Sequence, residues 1–194
     1  MVQAGSVNYW DLGDIRLRAA LISDASMFAE HFITSPARVE RAFERILPPQ
    51  TAEDAEKWLT GYAGDTEKGG DRRVFIIEGA GSGIFLGYID VWEADARNGV
   101  FKTGIKMLEG NSGKGYATRA YVRTLGYYFN ELRYQKCDIY IYEFNDASLR
   151  FHKKIGFREE GRLRREYYSE GRFYDSVCLG LTKEEYNDLN NKRA

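Results

Sequence analysis

Apolar positions along the chain change period several times, and each change marks an element. Ile15–Arg18 alternates and reads as a short strand after a leader, 1–14, expected to be loose. Ser23 and Asp24 are placed to cap a helix over Ala25–Phe32. Ser35-Pro36 would open a second helix to about Ile46, stopped before Pro48-Pro49. Thr51 would cap a third to about Ala63, with Trp58, Leu59 and Tyr62 on one face.

After a polar turn, Gly64–Asp71, the pattern turns β-rich. Arg73–Glu78, Ile84–Trp92 and Val100–Leu108 are separated by short Gly-bearing turns, as in an antiparallel meander. Tyr116–Leu132 is helical in period, Lys136–Tyr142 alternates as a strand, and Asn145–Ile155 is a second amphipathic helix closed by Gly156. Strands Arg162–Tyr168 and Phe173–Leu181, joined by Ser169-Glu170-Gly171, precede a helical tail from Lys183. This order predicts one mixed α+β domain over 1–194, with helices on the faces of a sheet.

Composition narrows the class. Hydrophobic residues are 43% and charged residues 29% of the 194, and 28 basic against 29 acidic side chains leave a net charge of −1. That balance argues for neither a nucleic-acid nor an anionic-membrane partner. No run approaches the ~20 apolar residues of a membrane span, nor a signal peptide, so a cytoplasmic protein is expected. With two His and no Cys-x-x-Cys pair, no metal site is expected. Cys137 and Cys178 lie in strand-like runs and read as structural thiols.

Chemistry concentrates in EGNSGKGYATRA, Glu109–Ala120, between a strand and a helix. Bare amides before a helix N-terminus seat phosphate, because unpaired N–H groups and the helix dipole both favour negative charge. A nucleoside-triphosphate loop needs Lys and Ser/Thr directly after its last Gly, where Tyr116 and Ala117 stand. A dinucleotide fingerprint needs Gly or Ala where Thr118 stands. The pyrophosphate of coenzyme A asks less of the local residues. In the later helix, Ser148, Phe151, His152 and Ile155 share one stripe, so a hydroxyl and an imidazole are carried inward among apolar groups.

With SGKGYATRA, NDASLRFHKKIGF-REEG and GRFYDSVCLGL in this order, the sequence resembles the GNAT superfamily of acyl-CoA-dependent N-acetyltransferases, in the branch of ribosomal-protein N-terminal and polyamine acetyltransferases. The resemblance covers roughly Ile15 to Tyr186. It implies a twisted, mostly antiparallel sheet with a splayed central strand pair and helices on both faces. It further implies acetyl-CoA as cosubstrate and a small-molecule amine or protein N-terminal amine as acceptor; apart from it, an exposed terminal hairpin could pair into a homodimer. In such enzymes the strand before the loop, here Gly104–Leu108 with Ile105, Lys106 and Met107, pairs with the pantetheine arm. The amides of Ser112, Gly113, Lys114, Gly115, Tyr116 and Ala117, with the Thr118 hydroxyl, would hold the pyrophosphate, and Asn145 would contact the pantetheine.

Under this resemblance a neutral amine attacks the thioester directly, with a backbone amide near Met107 stabilising the oxyanion. His152, or Ser148 in its place, is expected to protonate the departing thiolate. The bland alternative for His152 is a hydrogen-bonded core imidazole, and Asn145 is equally explained as a helix N-cap. Asp90, Glu93, Asp95 and Glu160 are candidate bases, each also readable as a surface carboxylate. Arg162, Arg164 and Arg165 could meet an acidic substrate or a coenzyme phosphate, or form a solvated strand face. The competing functions are a non-catalytic acyl-CoA-binding module and, more remotely, a nucleotide-dependent oxidoreductase.

Overall fold

The computed structural model describes residues 8–33, 51–111, 113–169 and 171–191. The helix expected over 35–46 and the loop residue Ser112 lie outside the described residues. Seven strands form one sheet: β1 Ile15–Ala19, β2 Arg73–Gly79, β3 Phe85–Asp95, β4 Val100–Met107, β5 Lys136–Tyr142, β6 Arg158–Ser169 and β7 Arg172–Thr182. Their spatial order is β1-β2-β3-β4-β5-β7-β6. Every neighbouring pair is antiparallel except β4 and β5, which run parallel.

The helices are α1 Ala25–Phe28, continued by a π-turn over Ala29–Ile33; α2 Ala52–Glu67; α3 Tyr116–Gly126, continued by a π-turn over Tyr127–Glu131; α4 Asp146–Ile155; and α5 Lys183–Asn191. Each face of the sheet carries its own core. Tyr121, Leu125, Tyr128 and Phe129 of α3 and its π-turn pack with Ile155 of α4 on Ile89, Phe101, Cys137, Ile139 and Val177. Ala25, Phe28, Ala55, Leu59 and Tyr62 of α1 and α2 cover Val74, Ile76 and Tyr88 on the opposite face. A strand covered on both sides cannot alternate, and β2 accordingly reads RVFIIEG with its middle five residues buried.

The elements predicted from periodicity recur, and the departures have local causes. Residues 8–14 are not a loose leader: Trp10 packs its ring 5.3 Å from Phe75 and 5.0 Å from Tyr127, and Leu17 N–H donates to the Trp10 carbonyl at 2.9 Å. Thr51 caps α2 as expected, in a reciprocal box: its hydroxyl accepts Asp54 N–H at 3.3 Å while Asp54 accepts Thr51 N–H at 2.8 Å. The helix runs to Glu67, past the expected stop at Ala63. Asp24 does not cap forward; its carboxylate accepts Leu21 N–H at 2.8 Å and binds the Arg18 guanidinium. β6 starts four residues early and is irregular, with register shifts at Glu159/Gly161 and Leu163/Tyr167. Arg165 takes a left-handed φ of 55° in the second bulge, where its N–H donates to Asp175 at 2.9 Å. Among the described residues no helix is long and apolar enough to cross a membrane.

Candidate active site

The parallel joint between β4 and β5 is only three residue pairs long, Val100–Lys102 against Lys136–Asp138. Beyond it β4 stays paired with β3, up to Met107 against Gly87, while β5 stays paired with β7. The two strands therefore diverge and leave a wedge. Leu108 N–H donates to the Leu86 carbonyl on β3 at 2.8 Å, and peptide groups alternate along a strand. Gly104 and Lys106 thus aim their backbone groups at β3, and Ile105 and Met107 aim theirs into the wedge.

The Gly loop stands at the end of β4. Gly110, Gly113 and Gly115 have φ of 82°, 79° and 77°, a region that side-chain-bearing residues enter at a cost. Gly115 is the N-cap of α3 and offers no side-chain cap, so the first-turn amides of α3 keep no side-chain acceptor. A Cβ built on Gly113 or Gly115 would meet nothing within 4 Å. Three left-handed glycines, uncapped amides and open space beside a strand wedge fit a pyrophosphate with its pantetheine arm laid along β4. Lys114 is exposed in the same loop, and Tyr116, Ala117 and Thr118 are half-buried in the first turn of α3.

Across the wedge, α4 presents the other predicted residues. Asn145 caps the helix, its Oδ1 accepting Ser148 N–H at 3.0 Å. The sequence set capping against coenzyme contact, but only Oδ1 is used for the cap. The Nδ2 donors remain, so one side chain can serve both roles.

His152 is 5% exposed and ringed by aromatics, with ring centroids at 5.3 Å to Tyr121, 5.0 Å to Phe151 and 5.4 Å to Phe157. Its Nδ1 lies 2.9 Å from the Ser148 carbonyl, an atom that can only accept, so Nδ1 carries the proton. Nε2 is left as a bare, buried lone pair without a partner. Burial pushes the imidazole down to about 4, against the Ser148 carbonyl, which favours the charged form. A neutral imidazole whose one proton is tied to a backbone carbonyl is in the wrong state to protonate a thiolate. The sequence left the donor role open between His152 and Ser148, and this geometry bears on that choice. The Ser148 hydroxyl is 3.3 Å from Nδ1, on a half-buried residue.

The carboxylates separate equally clearly. Glu93 pairs with Lys102 at 2.9 Å, Asp95 accepts Asn98 N–H at 3.0 Å in the β3–β4 turn, and Glu160 pairs with Lys136 at 2.7 Å. Asp90 alone among the four faces the α1/α2 core, where Tyr62 donates to it at 3.3 Å. Cys137 and Cys178 are both free, and burial raises both thiols. Neither is an activated nucleophile. One residue escaped sequence reading: Tyr121, whose buried hydroxyl has Thr103 beside it. Its helical spacing matches a plain core aromatic, and no local signal distinguishes it.

On the α1/α2 face of the sheet, a cavity of about 440 Å³ is lined by Lys102, Tyr140, Tyr142, Leu163, Glu166, Tyr167 and Ser176. It begins at the β4–β5 joint and ends under the β6 bulge.

Comparisons with known proteins agree with this geometry. The acetyltransferase (GNAT) domain family matches residues 14–158. The SPbeta prophage-derived uncharacterized N-acetyltransferase YokL of Bacillus subtilis is 31% identical over 181 residues, 93% of this chain and 97% of that protein. The putative ribosomal N-acetyltransferase YdaF of the same organism is 31% identical over 155 residues, 80% of this chain and 76% of that one. The crystal structure of spermidine N-acetyltransferase from Vibrio cholerae in complex with CoA and spermine superposes with a TM-score of 0.76 at 21% identity, covering 90% of this chain and 98% of that one. Relatives named as transferases lend no support to a non-catalytic coenzyme binder. The chain belongs to the GNAT acetyltransferase family, as an acyl-CoA-dependent N-acetyltransferase with acetyl-CoA as its cosubstrate.

Proposed function

We propose that the acceptor is a primary amine on a neutral or acidic body, a peptide N-terminus rather than a polyamine. Its nitrogen would reach the wedge from the α1/α2 face. The observation that carries this reading is the lining of the 440 Å³ cavity: four aromatic or aliphatic walls, Tyr140, Tyr142, Leu163 and Tyr167, and a single carboxylate, Glu166, with Lys102 in the lining paired to Glu93. The exposed hairpin beside it carries Arg164, Arg165 and Arg172, with Arg162 paired to Glu159, and the carboxylates Glu160 and Asp175 on the same strands. A polyamine brings several ammonium groups that each want an anion, and the cavity lining offers one, Glu166. The relative YdaF, named as a putative ribosomal N-acetyltransferase, points the same way. In a thiol-release assay with acetyl-CoA, an acidic peptide N-terminus is expected to exceed spermidine in kcat/KM by about tenfold or more, the value of one desolvated charge mismatch. Adding salt should narrow that gap. Spermidine as the better acceptor would overturn the reading.

When bound, acetyl-CoA supplies an activated acetyl thioester. Residues Ile105–Met107 would hold its pantetheine arm, Gly113, Lys114, Gly115, Tyr116, Ala117 and Thr118 its pyrophosphate, and Asn145 Nδ2 a pantetheine carbonyl. The Met107 N–H, aimed into the wedge, is placed to meet negative charge developing on the carbonyl oxygen. The Ser148 hydroxyl donates toward the departing sulfur, and His152 holds that turn of α4 through the Ser148 carbonyl. Ser148→Ala is therefore expected to lower kcat by about 10²-fold with little change in the acetyl-CoA KM. His152→Phe should lower kcat less and leave the pH profile between 6 and 9 unchanged, because the imidazole is neutral throughout that range. Loss of a pH limb in His152→Phe would return the acid role to the imidazole.

A further inference from the structure

Building on the acetyltransferase reading, we propose that Asp90 is the general base that takes a proton from the acceptor ammonium. Asp90 stands on β3 directly across from Gly104, two residues past the end of the β4–β5 joint. Side chains alternate along β3, so Asp90 shares the α1/α2 face with Tyr88 and Trp92. This is the side of the wedge opposite α3 and α4. A Cβ on Gly104 would stand 3.1 Å from the Trp92 ring and 3.4 Å from Asp90 Oδ1. The Trp92 ring and Asp90 Oδ1 therefore lie directly over the bare backbone of Gly104, in the space a side chain would fill. Trp92 is 37% exposed, so the outer edge of this packing meets solvent. A carboxylate flanked by the rings of Tyr62, Tyr88 and Trp92 is a seat for a protonated amine.

The groups facing this carboxyl come from several elements. Tyr62 of α2 donates to Oδ2, with the Arg72 guanidinium 5.0 Å from the centre of the Tyr62 ring. Tyr88 flanks it on β3, the Lys106 ammonium approaches from β4, and the Tyr121 hydroxyl lies across the sheet. Burial raises the Asp90 carboxyl above the ordinary carboxylate range, while Lys106 and the Tyr62 hydroxyl pull the other way. The outcome is a stronger base than a solvated carboxylate. Its work is balanced. The carboxylate takes one proton from R–NH3⁺, leaving R–NH2 and a neutral acid. The freed lone pair forms the C–N bond to the acetyl carbon, and the C–S bond breaks with its electron pair going to sulfur. The second nitrogen proton ends on the thiol, and the carboxyl proton returns to water.

The test is Asp90→Asn, assayed as the full chain by thiol release from pH 6 to 9, with acetyl-CoA affinity measured separately by calorimetry. Two acceptors are compared: an alkylamine, protonated across this range, and an O-alkylhydroxylamine, already neutral. With the alkylamine, kcat should fall about 10²-fold, as expected for loss of a general base. With the O-alkylhydroxylamine it should fall less than about threefold, and acetyl-CoA affinity should be unchanged. An equal loss with both acceptors, a change confined to KM, or no loss overturns the assignment. Should Asp90→Asn fail to fold, Tyr62→Phe removes a hydrogen bond that helps hold the carboxyl down. The lower pH limb of the alkylamine reaction should then move upward, and an unmoved limb overturns the assignment. Wild-type chain that releases no thiol with any amine sinks the acetyltransferase reading together with Asp90. Wild-type turnover beside an indifferent Asp90→Asn sinks Asp90 alone.

Discussion

Gly115→Val raises the KM for acetyl-CoA by about 30-fold or more while the chain stays folded, the factor that about 2 kcal/mol of strain and lost contact produces. Gly115 has φ 77° and ψ 0° as the N-cap of α3. A β-branched residue is least tolerant of that region, so the loop must either bear the strain or turn its amides away. If the loop holds its shape, the new side chain projects into the open space beside the first-turn amides, where a Cβ now meets nothing within 4 Å. Both routes weaken the same site. The matching control is Gly81→Val in the β2–β3 turn, whose φ of 86° and empty surroundings are nearly the same. That variant should lose stability by a similar amount and keep the wild-type KM. Calorimetric titration with acetyl-CoA checks both. Equal KM values for the two variants would show that the cradle lies elsewhere.

The Gly loop was legible because its signal is local. Glycines at 110, 113 and 115 announce positive φ, and the strand and helix on either side declare themselves by period. β5 was legible for the same reason, Cys137, Ile139 and Ile141 alternating against polar neighbours. What local pattern cannot carry is a residue's distant surroundings. Asp90, Glu93, Asp95 and Glu160 look alike in sequence. Only Asp90 meets a tyrosine hydroxyl from 28 positions away, whereas the others find Lys102, Asn98 and Lys136. His152 was placed on the correct inward stripe, but its protonation state depends on the Ser148 carbonyl and on three aromatic rings. Two of those rings, from Tyr121 and Phe157, lie outside α4. The anchoring of Trp10 on Phe75 and Tyr127 is invisible for a related reason, since nothing periodic precedes β1.

Phe101→Ala tests how far the wedge depends on the core beneath it, and it should be the most destabilising single change in the molecule. Phe101 is 0% exposed, stacked on Tyr128 at 4.7 Å and set edge-on to Phe129 and Tyr134 at 5.4 and 5.5 Å. Truncating such a residue costs about 3–5 kcal/mol in lost transfer energy and cavity, a large part of the 5–15 kcal/mol typical of a whole domain. Urea unfolding should show this as a fall in midpoint with an unchanged slope. Phe101 is also the central residue of the three-pair joint, opposite Cys137, so its loss slackens the point from which β4 and β5 diverge. Ile76→Ala separates the two effects. Ile76 is equally buried, but it lies in the α1/α2 core two strands from the joint, and its truncation costs about 2–5 kcal/mol. If the joint sets the wedge, Phe101→Ala should weaken acetyl-CoA binding several-fold at a temperature where both variants are folded, while Ile76→Ala leaves it unchanged. Saturating acetyl-CoA, which returns about 2.7 kcal/mol at a hundredfold excess over Kd, should then rescue Ile76→Ala at lower ligand concentration than Phe101→Ala. Rescue at the same concentration would mean that the wedge is held open by the strands on either side, β3 and β7, and not by the three residue pairs at its vertex.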